Sequence, residues 1–155
     1  MKANKETLET MLEVARQQAE LVLVGGKREL MPVFVLVGPG GPSVHGCPWR
    51  NDAEKEIMGN KVRREIKRRK VFQYSFVCEA WAVHLASAKE FHHRPSEDPR
   101  RVEVVIALAV NRQEKKIRQW NIERAEDGTC TGLRLNPSFG DEGQLESWMA
   151  ELLED

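Results

Sequence analysis

Four histidines, three cysteines and a cluster of carboxylates beside two of those histidines are the groups in this 155-residue chain best suited to metal or acid–base chemistry. His92 and His93 are adjacent, with Glu90, Glu97 and Asp98 nearby and His84 upstream. On a strand, neighbouring side chains point to opposite faces, so both imidazoles reach one ion only from a loop. Residues 86–101 read as such a loop, being polar and interrupted by Pro95 and Pro99. If a metal binds, the ligands to test are His92 or His93 with Asp98 and His84, and the chemistry is metal-dependent hydrolysis. The chain has neither H-E-x-x-H nor H-x-E with P-C-x-x-C, so this reading stands as the alternative.

Nucleophilic catalysis has less support. There is no G-x-S-x-G, and spacing places none of Ser75, Ser87 or Ser96 beside a histidine. Cys47, Cys78 and Cys130 are odd in number and far apart, without C-x-x-C. They predict small buried thiols and a reducing, cytoplasmic setting. Cys47, next to a turn and close to His45, is the one to watch as a thiolate. The glycines of segment 38–42 follow a strand, but Pro42 and a second strand come next. A phosphate loop needs a helix opening directly after the glycines, so the segment predicts a hairpin turn with Pro39 second and Gly40 third, in type II geometry.

The strongest polar signal is KVRREIKRRK at 61–70, seven bases and one acid. On a helix, Met58, Val62 and Ile66 form one apolar stripe, and Lys61, Arg63, Arg64, Lys67 and Arg68 cover the opposite side, with Ile57 as a misfit. Such a face complements the helix dipole or binds anions. The expected binding residues are therefore Trp49, Lys61, Arg63, Arg64, Lys67 and Arg68. Trp49, between Pro48 and Arg50, serves as a stacking anchor or as a lid on the helix start. Segment 141–155 carries six acids and no base, so it can neutralise the basic helix or pair with it across a homodimer.

The elements that must position these groups follow from periodicity. Helices are predicted over 5–23, over 52–69 behind an Asn51/Glu54 capping box, and from Asp141 to the end, where Leu145, Trp148, Met149, Leu152 and Leu153 share a face. Strands are predicted over 32–38, 43–47, 71–83, 102–110 and 116–124, with a return over 129–135. The order reads α-β-β-α-β-β-β-α: an α+β fold in a single domain, with a mainly antiparallel sheet of about five strands and three helices. Lysine plus arginine and aspartate plus glutamate are both 24, and 41% of residues are hydrophobic. That balance excludes a disordered chain and bulk-charge nucleic-acid binding. No apolar run is long enough to span a bilayer, and the first ten residues are polar, so neither a membrane span nor a secretory signal is predicted. The expectation is a small non-catalytic binding or assembly module without a cofactor. Its partner is an acidic protein surface or a second copy, with nucleic acid less favoured.

Overall fold

The computed structural model describes residues 5–82, 101–136 and 151–153. Helix α1, Lys5–Leu23, buries Leu8, Leu12, Ala15, Ala19 and Leu23, the spacing of a single helical stripe. Gly25 stops it with a left-handed φ of 84°, a conformation only glycine adopts freely. Strands β1, Val33–Gly38, and β2, Gly41–Gly46, form a hairpin, and α2 follows at Asp52–Arg68. Then come β3, Gln73–Ala82, β4, Val102–Asn111, β5, Lys115–Arg124, and β6, Cys130–Leu135. The fold is α+β, with one sheet ordered β2-β1-β3-β4-β5-β6 in which every neighbouring pair is antiparallel.

The two helices cover opposite faces. Alternate residues of β4 show why: Val105, Ala107 and Ala109 join the α1 core with Trp120 and Val77, whereas Leu108 and Val110 join the α2 core with Phe34, Tyr74 and Phe76. A central strand buried on both sides needs apolar residues at nearly every position, as β4 has. On the α1 face, Ala15 and Ala19 with Ala107 and Ala109 let the helix backbone run close over β3, β4, β5 and β6. On the other face, Val62 and Ile66 of α2 meet larger aromatic rings.

Three expectations need correction. The sheet has six strands, not about five: the turn at 126–128, with Gly128 at φ 88°, is tight enough for the returning chain to pair along β5 as a strand of its own. The described residues contain two helices. Of segment 141–155 only 151–153 is described, and there Leu152 and Leu153 form a turn. Leu153 is buried in the α2 core, and its carbonyl accepts a hydrogen bond from Arg112 Nη1 at 3.1 Å. The rest of that segment, including Trp148, lies outside the described residues, as do residues 83–100 with His84, His92, His93 and Asp98.

The third correction concerns the hairpin. Its positive φ, 102°, falls on Gly41, one residue later than type II geometry at Gly40 requires. Gly38 serves another purpose: a Cβ there would overlap the carbonyl oxygen of Arg69, where the chain leaving α2 crosses the end of β1. Lys70 then turns through a left-handed φ of 52°, and Phe72 N–H donates to Val37 O at 3.0 Å as β3 begins. Both glycines are thus accounted for by turn geometry and close approach.

Candidate functional site

Helix α2 is anchored at its start. Asn51 Oδ1 accepts the Glu54 N–H at 2.8 Å, capping a free donor. Glu54 in turn accepts the Arg50 N–H at 3.0 Å, one residue earlier than a standard capping box. With Gly59, Val62 and Ile66 buried, Lys61, Arg63, Arg64, Lys67 and Arg68 are all exposed. Acids in the first turn, Asp52 and Glu54, and bases in the last, Lys67 and Arg68, complement the helix dipole. That effect fades within one turn, so it accounts for neither Lys61 nor Arg64.

The basic residues divide by partner. Glu65 takes Arg68 and Arg69, each at 2.7 Å, and these two guanidiniums hold its carboxyl at about 2. Arg63 Nη1 donates to Asn60 Oδ1 at 3.3 Å. Among the described residues, Lys61, Arg64 and Lys67 form no ion pair. The first two line a groove between β2 and α2, with a volume of about 550 Å³, together with His45, Cys47, Met58, Arg68 and its ion-pair partner Glu65.

At the edge of the groove, His45 of its lining forms a pair that spacing alone had not singled out. Ser43 Oγ lies 2.8 Å from His45 Nε2. Residues two apart on a strand share a face, so the pattern S-x-H within β2 was the available signal. A nucleophile–base pair also needs a group to orient the base. Among the described residues no carboxylate is hydrogen-bonded to His45, and His45 adds a polar ring to the groove.

Cys47, the cysteine to watch as a thiolate, is a small buried thiol. Burial pushes the Cys47 thiol up, only partly opposed by the charge of Lys61, and its Sγ donates to His45 O at 3.6 Å. Cys78 is pushed up to about 12 by burial. Trp49 lies outside the groove. Its ring stacks on Phe76, with centroids 6.1 Å apart and planes 5° apart, and Lys55 Nζ sits 5.4 Å from its centroid. It closes the start of α2 over the sheet. Of the expected binding residues, the structure brings Lys61, Arg64 and Arg68 to one groove, and leaves Arg63, Lys67 and Trp49 off its lining.

No group of three or more histidine, cysteine or acidic side chains among the described residues is placed to hold a metal ion. No described helix is long and apolar enough to cross a membrane. Comparison with family models, with curated proteins and with solved structures finds no match to this chain.

Proposed function

We propose that this chain is a binding module that docks an acidic protein surface on the cationic side of α2. One observation carries the reading: Lys61 and Arg64 stand exposed and without an acidic partner among the described residues, on a helix fixed from below by Val62 and Ile66. A helix already fixed to the sheet loses little backbone freedom when an anion arrives, so the ordering cost is confined to the cationic side chains, about 0.5–1.5 kcal/mol each. The zero net charge favours a local acidic patch over a long nucleic acid, because the attractive field does not extend over the whole surface.

The test is charge reversal. Fluorescence anisotropy with labelled polyglutamate, and separately with duplex and single-stranded DNA, is measured at low and at moderate salt. The chain is expected to bind polyglutamate at low salt and to weaken as salt rises. Lys61→Glu with Arg64→Glu is expected to lower that affinity by about tenfold or more, with folding stability held within about 0.5 kcal/mol as for other exposed substitutions. Unchanged affinity in the double variant, or no binding even at low salt, overturns the reading. Tighter binding of DNA than of polyglutamate replaces the acidic protein with nucleic acid.

A further inference from the structure

Among the described residues the hairpin beside the groove has an unpaired edge, and its two sides differ. Strand β2 is the end of the sheet, and no described strand lies beyond it. Its register pairs Phe34 with His45 and Leu36 with Ser43, and Cys47 N–H donates to Pro32 O at 2.8 Å. Hydrogen-bonded pairs alternate along an antiparallel ladder, so Cys47, His45 and Ser43 turn their backbone groups inward to β1. Val44 and Gly46 therefore turn their N–H and C=O groups outward, and Pro42 its C=O. Pro42, which has no N–H, occupies an outward position, as prolines on edge strands do.

Side chains beside this edge are sorted by face. Toward α2 lie Ser43, His45, Lys61 and Arg64. On the opposite face α1 lies chiefly over β3 to β6, and Val44 is 66% exposed and Met31 49% exposed, with Met31 Sδ close against Gly46. An extended chain laid along β2 would place alternate side chains over cations on one face and over apolar groups on the other.

We propose that β2 is a strand-addition site for an extended partner segment in which acidic residues alternate with β-branched apolar ones. The backbone pairs with Val44 and Gly46, the acids reach Lys61 and Arg64, and the apolar residues cover Val44 and Met31. Strand addition supplies affinity through main-chain bonds and specificity through alternate side chains. Period-two charge complementarity selects this occupant over a nucleic acid, whose backbone offers no N–H groups to pair with the edge. The proposal rests on the cationic reading of α2 and adds the edge to it.

The test uses the full chain and a fluorescein-labelled peptide of alternating glutamate and valine. Binding is expected, and a peptide of the same composition with its glutamates in one block is expected to bind at least about tenfold more weakly. In a bound strand, the amides of one residue type face β2 and those of the other face away. N-methylation of either the glutamate or the valine amides, but not of both sets, should therefore abolish binding. Val44→Pro, which removes an outward N–H without touching the β1 ladder, should match the disruptive set, with its fold checked by circular dichroism.

Equal tolerance of both N-methylated peptides, or equal affinity for the blocked peptide, overturns strand addition and leaves the cationic reading standing. Unchanged binding by Lys61→Glu with Arg64→Glu overturns the cationic reading itself. Dimerisation of the unliganded chain that Val44→Pro abolishes assigns the edge to a second copy and overturns the partner proposed here.

Discussion

On the α1 face of the sheet, charges meet across the packed layer. Glu9 accepts hydrogen bonds from Lys116 Nζ at 2.8 Å and Arg118 Nη2 at 2.9 Å, and Arg16 pairs with both Glu13 and Glu20. On the α2 face Glu54 pairs with Arg50 and Glu65 with Arg68 and Arg69, and Lys61, Arg64 and Lys67 project without an acidic partner among the described residues. The apolar contacts differ in the same sense: α1 buries five residues of its stripe, whereas α2 buries Val62, Ile66 and a glycine. One helix is sealed into the protein on both counts. The other is held by a narrow stripe and a cap, and keeps its charge available.

The comparison can be broken at several points. The largest effect is expected from Leu12→Ala, because Leu12 is fully buried between α1 and the sheet. Loss of its contacts and the cavity left behind should cost about 2–5 kcal/mol in urea unfolding. A smaller loss would mean that α1 is less tightly seated than its burial indicates. Asn51→Ala removes the cap of α2 and should cost about 1 kcal/mol, while affinity for polyglutamate changes by less than about twofold. A larger fall in affinity would show that the start of α2, and not only its cationic half, is part of the binding surface.

The smallest effect concerns pH. The Glu9 carboxyl is lowered from 4.5 to about 2, first by its hydrogen bond to Lys116 and then by Arg118. A depressed folded-state value means that the contribution is present above about pH 4.5 and is lost as pH falls toward about 2. Glu9→Gln should therefore reduce stability at neutral pH by at most about 1 kcal/mol and flatten part of the acid limb between those values. An acid limb identical in the variant and the parent would show that the pairs across α1 contribute nothing to the seal.

Much of this arrangement was legible from residue order. The α1 stripe, the Asn51 cap, the Val62/Ile66 stripe and the doubly buried β4 all follow from short-range periodicity, which the sequence carries directly. The groove was only half legible. Lys61, Arg64 and Arg68 stood out as a charge run, but their neighbour His45 comes from a hairpin whose place beside α2 is set by the crossover from β2 to β3. The fate of Cys47 was hidden for a related reason. A cysteine close to a histidine in the sequence is a thiolate candidate, and only the packing of α2 over β2 shows the sulfur buried. Trp49 likewise needed its partner Phe76, far along the chain, before it could be placed as a lid.

Gly38 has a bearing on how this architecture tolerates change. With only a hydrogen at that site, the last turn of α2 descends onto the hairpin until backbone meets backbone. A methyl group in its place would act as a wedge, tilting the helix away from β1 at its arginine-rich end and altering the spacing between the cations and the sheet edge. Variation at this interior position would thus retune what the surface accepts while leaving the surface residues themselves untouched.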